Sequence, residues 1–299
     1  MTASTGAFSF GDYSARESLW GSIKDLDALN THIGSTSGTV EVSNKVHSWP
    51  IDPITATSAQ AGTVELTDTS YAATSPSVLT NMTQIIENGF RVASTMQNTK
   101  TAGYPDKFAR EQVKAMKMWK NQLEFSALAG SLVSGTGTAA RQMKGIAGFA
   151  STLASTLASG VSLTSTMLNA YLLEALNVGD SHDTVLVDAE LKSRISMFTE
   201  NNTRMINAKD AELVGRVDYY NSDGGRVKII FHRYVDDISA VVTHGLVTYK
   251  SDYIMIGHMD EPHYEDRPNT GYFKSGSIVG ESTIQVCNEK AVGVYKLVK

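Results

Sequence analysis

The chain has 299 residues, of which 41% are hydrophobic, a formal net charge of −5 and one cysteine, Cys287. That suffices for a core and roughly two domains of about 150 residues, and it excludes a disordered chain, an internal disulfide framework and a dedicated, strongly basic nucleic-acid binder. No run approaches the roughly 18 apolar residues of a membrane span, and Met1 to Gly11 lacks a secretory leader's basic and apolar regions, so a soluble product that stays where it is made is expected.

Residues 1–38 are rich in Ser, Thr and Gly, with too little apolar surface to fold alone. One short helix is expected there, capped by Asp12 or Ser18, with Leu19, Ile23, Leu26 and Leu29 at helical spacing. From Thr39 the period becomes two, which predicts a strand to Trp49, ended by Pro50; Thr83–Val92 predicts a second. Between them, Ile51 to Asn81 is polar and punctuated by Pro53 and Pro76. A structureless stretch of that length argues for a function outside the domain, so the two strands and their tip are expected to form a protruding hairpin.

The strongest helix signal follows. Pro105 and Asp106 start it, and Phe108, Met116, Trp119, Leu123 and Ala127 make an apolar stripe that Leu128 and Leu132 widen. Lys107, Arg110, Lys114, Lys117 and Lys120 are assigned to the polar face, where Glu111 and Glu124 interrupt the positive charge. With Gly135 and Gly137 as its stop, the helix spans 106–134, roughly 43 Å at 1.5 Å per residue. Residues 151–166 are of low complexity, and Ser162 or Thr164 caps a helix through Leu176. Val185–Asp188 reads as a buried strand leading into a helix over 189–198. A hairpin joins 213–220 to 226–234 across the turn-forming residues 221–225. Strands over 253–256, 277–286 and 291–298 complete an α+β pattern.

Catalytic signatures are sparse. Gly135-Thr-Gly137 lacks the Gly-Lys-Ser/Thr of a phosphate loop, and there is neither a nucleophile elbow nor a zinc-binding helix motif. His258-Met-Asp260-Glu261-Pro262-His263-Tyr-Glu265-Asp266 is the one dense polar cluster. It has oxygen and nitrogen donors for a metal-dependent enzyme, but in no recognised spacing, and Pro262 bars one regular helix. A solvated or interfacial loop is therefore the preferred reading. His182 and Asp183 are assigned to a capping turn, Cys287 to a strand as a small hydrophobe, and Trp119 to the core. No catalytic, cofactor or metal residue is assigned.

Several blocks, in order, resemble one group of tailed-bacteriophage major capsid proteins, first described as a domain of unknown function. They are Asn81-Met-Thr-Gln84-Ile85-Ile86, Val92-Ala-Ser94-Thr95-Met-Gln97 with Ala102-Gly103, and the long helix to Glu124. Gly137-Thr-Ala-Ala-Arg141-Gln-Met-Lys-Gly145-Ile146 and Glu281-Ser-Thr-Ile-Gln-Val-Cys-Asn288-Glu289-Lys-Ala291 continue the match. The resemblance runs from about Val40 onward. It implies the Hong Kong 97-like fold, with an N-terminal arm (1–38), an extended loop (39–95) and a peripheral domain with a spine helix (96–162). An axial domain (163–266) and C-terminal strands returning to the peripheral domain (267–299) would follow. It also implies self-assembly into pentamers and hexamers of an icosahedral head, assembled in the host cytoplasm and part of the virion. Implied partners are other copies of the chain, a separate scaffolding protein, a portal, decoration proteins and non-specifically contacted packaged double-stranded DNA, with no membrane. Because arm and loop cannot bury their apolar residues alone, Phe8, Phe10, Val40, Val42, Trp49 and Ile51 are expected at contacts between subunits. No crosslinking Lys–Asn pair is identified. A cellular nanocompartment shell of the same fold is the nearest alternative.

Overall fold

A computed structural model describes residues 31–52, 64–66, 68, 75–99, 106–158, 161–198, 218–238 and 242–298. The helix expected around Leu19–Leu29 and the first part of the 213–220 strand lie outside the described residues.

Local capping chemistry sets the helix starts. Asp106 accepts the Ala109 N–H and opens α3 (Lys107–Ala129). Thr164 accepts from Met167 ahead of α5 (Ser165–Val178), and Asp188 from Glu190 and Leu191 ahead of α6 (Ala189–Ser196). Three short helices, α1 (His32–Thr36), α2 (Ser94–Asn98) and α4 (Ile146–Phe149), complete the set among the described residues.

The long helix ends earlier than its sequence suggests. Its 23 residues make a rod of about 34 Å, and the stop is Gly130. The Gly145 N–H donates to the Gly130 carbonyl at 2.8 Å. A Cβ on Gly130 would lie 2.3 Å from Ser126 O, and one on Gly145 2.6 Å from Leu128 O. Two backbones touch here, and the contact turns the chain before Gly135 is reached. Leu132, expected in the stripe, is therefore half exposed beyond the helix. Ala115, Trp119, Leu123 and Ala127 form the buried row, and the Trp119 indole donates to Ile86 O at 3.0 Å. Two charges assigned to the polar face turn inward. Lys107 is buried, its ammonium donating to the Met96 and Thr99 carbonyls at the end of α2. Glu124 is buried as well.

The region read as one strand over 39–49 is two. β1 (Gly38–Glu41) lies parallel to β10 (Ile254–Arg267), whereas β2 (Val46–Ile51) pairs antiparallel with β3 (Ser77–Met82). Pro50 sits inside β2 opposite Val78 rather than ending it, a position open to proline because a two-stranded ribbon leaves one edge unpaired. β3 falls in the stretch expected to be loop. The other expected hairpin strand, β4 (Gln84–Ala93), pairs with β11 (Phe273–Val286) instead. One sheet thus has the order β1-β10-β11-β4, with α3 packed upon it. Gly257 is needed there, since a Cβ would meet the Val42 side chain at 2.3 Å.

The second sheet, ordered β5-β12-β9-β6-β8-β7, comprises β5 (Ala154–Leu157), β6 (Thr184–Val187), β7 (Tyr219–Ser222), β8 (Gly225–Phe231), β9 (Val242–Tyr249) and β12 (Val292–Val298). β6 is buried throughout, the pattern of a strand covered on both faces. Leu168, Leu172, Leu191 and Ile195 of α5 and α6 share a core with Val227 and Ile229. The expected boundary at 266/267 does not follow the strand pairing. β10 and β11 form one long hairpin of the first sheet, while β12, expected to return there, enters the second between β5 and β9. A larger core runs under both, joining Trp119, Leu128 and Phe149 to Val247, Tyr249 and Val294.

Candidate functional site

The residues expected at subunit contacts divide. Val42 and Trp49 are buried inside the chain itself, Trp49 beside Phe149 with its indole N–H on Val286 O at 3.0 Å. They therefore fix the hairpin's base instead of waiting for a neighbour. Val40 and Ile51 are half-buried, and Phe8 and Phe10 lie outside the described residues. Asn81 reinforces the base: its amide donates to Ile284 O (2.7 Å) and Lys144 O (3.0 Å), and its carbonyl accepts from Lys144 N (2.8 Å). Beyond this anchor the ribbon presents Val78 to solvent.

A second surface lies between β4 and α3. β4 is an outer strand of its sheet, and a groove of about 690 Å³ runs between it and the helix, lined by Ile85, Asn121, Gln122, Phe125 and Tyr234 among others. Ile85 and Phe125 are exposed, Phe125 standing edge-on to Tyr234 at 5.5 Å. The Asn121 side-chain carbonyl is buried at this groove with no hydrogen-bond partner among the described residues. Sequence reasoning missed this surface, although one signal was available: Phe125 falls off the row of Trp119, Leu123 and Ala127, an aromatic on the wrong face for the subunit's own core.

The 258–266 cluster is strand, not loop. It lies within β10, whose register slips between His258 and Asp260 and again before His263, with Pro262 in the irregularity. The pleat and these slips disperse the donors. His258 bonds Ser282 Oγ at 2.8 Å beside Trp119, and its pKa is lowered by burial. Tyr264 donates to Asp266, while Glu265 pairs with Arg267. Among the described residues, three ligand-type side chains converge elsewhere, where Asp188, Asp236 and His244 bring donor atoms within 4.8 Å of one another. There both His244 nitrogens face carboxylates, Nδ1 on Asp188 at 2.7 Å and Nε2 on Glu190 at 2.9 Å, so the ring is engaged in joining β9 to the start of α6. Burial raises the Asp236 pKa, with Asp188 adding to the effect. Asp183 accepts from Ser251 N and Oγ at the start of the turn at 251–253, whereas His182, assigned to capping with it, is buried between Thr248 and the Lys290 carbonyl. Cys287 lies one residue past β11 and is half-buried, its sulfur 3.6 Å from the Gln285 amide nitrogen.

A ribbon on a pinned base and an open groove at a sheet edge are surfaces suited to contact with other chains. The comparisons agree. The model of the SU10 major capsid protein family matches residues 3–299. No curated protein matches the sequence. Among solved structures, one from Gordonia phage Cozz is 16% identical, covers 96% of this chain and 92% of its own, and has a TM-score of 0.63. One from Microbacterium phage Oxtober96 is 10% identical over 95% and 96%, with a TM-score of 0.66. The capsid of a native GTA particle is 10% identical over 97% and 98%, with a TM-score of 0.64. These likenesses carry the fold, a mixed helix-and-sheet capsid fold consistent with the Hong Kong 97 type. The chain belongs to the SU10 major capsid protein family, the shell subunits of phage heads.

Proposed function

We propose that this subunit forms pentamers and hexamers that tile an icosahedral head, a structural and non-enzymatic role. One observation carries the reading: among the described residues β2 and β3 pair only with each other, on a base pinned by Trp49 and Asn81. Such a ribbon is fixed at its root and free to lie across an adjacent subunit. The β4–α3 groove offers a second contact, with an open strand edge and an orphan acceptor. Many moderate contacts of this kind make a closed shell stable through multivalency.

In domain terms, residues 1–38 are the arm and the ribbon within 39–95 is the extended loop, while β1 and β4, at the two ends of that stretch, belong to the peripheral sheet. The sheet β1-β10-β11-β4 with α3 is the peripheral body, and the sheet holding β6, β8 and β9 with α5 and α6 is the axial body. Assembly takes place in the host cytoplasm with a scaffolding protein, a portal and decoration proteins. Contact with packaged DNA is non-specific, through exposed cations such as Lys120 rather than through Lys107, which is buried.

Deletion of residues 55–75 from the full chain tests the ribbon's part. The expected product is a soluble subunit with native far-ultraviolet dichroism that gives no closed heads by negative-stain microscopy. Normal heads from that variant would refute the ribbon contact.

A further inference from the structure

Glu124 is 1% exposed, at the meeting of α1, α3 and the turn after β8. Its Oε1 accepts the Ile33 N–H at 2.6 Å and His232 Nε2 at 3.0 Å, and its Oε2 accepts the Gly34 N–H at 2.8 Å. His232 is wholly buried, and its Nδ1 faces the Tyr234 N–H at 3.4 Å. A ring whose Nδ1 meets a donor and whose Nε2 meets a carboxylate is neutral, with its proton on Nε2. The His232 backbone N–H is tied to Val187 O at 2.9 Å, so the imidazole is held by the second sheet. One carboxylate therefore receives two donors from the N-terminal side of the chain and one from the axial side, and these lie 90, 91 and 108 residues from it in sequence.

We propose that Glu124 is a coupling joint, through which the attachment of the N-terminal segment at α1 and the packing of α3 against the second sheet stabilise each other. The reason is the asymmetry of buried charge. A carboxylate with three donors is tolerated, but losing some of them leaves a charge that has neither water nor partners. Freeing α1 strips two donors, so the group must draw in water, and that disturbs the bond to His232. Withdrawing His232 weakens the hold on Ile33 and Gly34 in the same way. Linkage makes the two effects reciprocal. A pull on the residues before α1 is then felt at the junction of the two sheets. The joint lies within one subunit, so its test does not depend on assembly.

The experiment is hydrogen–deuterium exchange on the full-length protein, with protection along β10 and β11 as the control for a folded body. His232→Ala is expected to raise exchange at Ile33 and Gly34 by about tenfold or more. His232→Gln keeps an N–H donor and is expected to restore protection to near wild type. Reciprocally, Ile33→Ala, which loosens α1 without removing a donor from Glu124, is expected to raise exchange across 229–235. Unchanged α1 protection in His232→Ala, or equal loss in the Ala and Gln variants, overturns the proposal. Should His232→Ala not fold, the other two variants decide: unaltered exchange at 229–235 in Ile33→Ala, or lost α1 protection in His232→Gln, overturns it.

Discussion

His182 is buried, with Nδ1 at 2.8 Å from the Thr248 hydroxyl and Nε2 at 3.2 Å from the Lys290 carbonyl. The carbonyl can only accept, so Nε2 carries a proton. Burial lowers its pKa from 6.5, and it does the same at His32 and His258. A base whose pKa is depressed in the folded state takes up a proton more readily once unfolded. Its stabilising share is thus complete above 6.5 and is lost as the pH falls below that value toward the folded pKa. The subunit's melting temperature is expected to drop between pH 7 and pH 5, and His182→Gln should flatten that drop, as thermal melts across the range will show. Residues acting on near neighbours could be read from sequence: Asp106, Thr164 and Asp188 sit one position before their helices, and Trp119 lies on the periodic stripe. Lys107 and Glu124 could not. A periodic pattern marks them polar, and only the folded chain brings the Met96 and Thr99 carbonyls or the Ile33 and Gly34 amides to them.

The elements show the same division between local and distant causes. The start of α3 is chemistry within four residues, and its sequence signal was sound. Its stop is the contact of Gly130 with Gly145, which no window of sequence displays, so Gly135 looked like the terminator. Gly135 does adopt a left-handed φ of +73°, but in the loop beyond the helix. Gly145→Ala places a methyl group against Leu128 O and Gly130 N and should destabilise the subunit by about 1–3 kcal/mol. Gly137→Ala meets nothing within 4 Å and should leave stability close to wild type. Paired chemical denaturation curves will compare them. Strand existence was legible at β4, β6, β8, β11 and β12, where β-branched and aromatic residues gather. Partnership was not: β1 and β2 read as one strand, β3 was hidden in a polar stretch beside Pro76, and β5 and β9 went unread. A strand's partner is fixed by residues far away, and hydrophobic period carries no information about which.

At the scale of the molecule, the α+β class and the order of early strands, long helix and later mixed elements were readable from changes of hydrophobic period along the chain, whereas the hairpin's second strand was not. The division of strands between two sheets was not, since β12 crosses back into a sheet whose other members end at Tyr249. Its position, between β5 and β9, makes it an interior strand pairing on both sides. A chain cut after residue 290 should therefore lose the second sheet's continuity, remain insoluble or without a cooperative melt, and yield no heads by microscopy.

The place of these late strands also sets a schedule. β11 is an interior strand of one sheet and β12 of the other, so the first sheet is complete only once residue 286 has been made and the second only at residue 298. Pairings between residues so far apart form slowly. A chain terminated before residue 273 therefore lacks an interior strand of both sheets, and it is expected to hold no finished body to offer a growing shell.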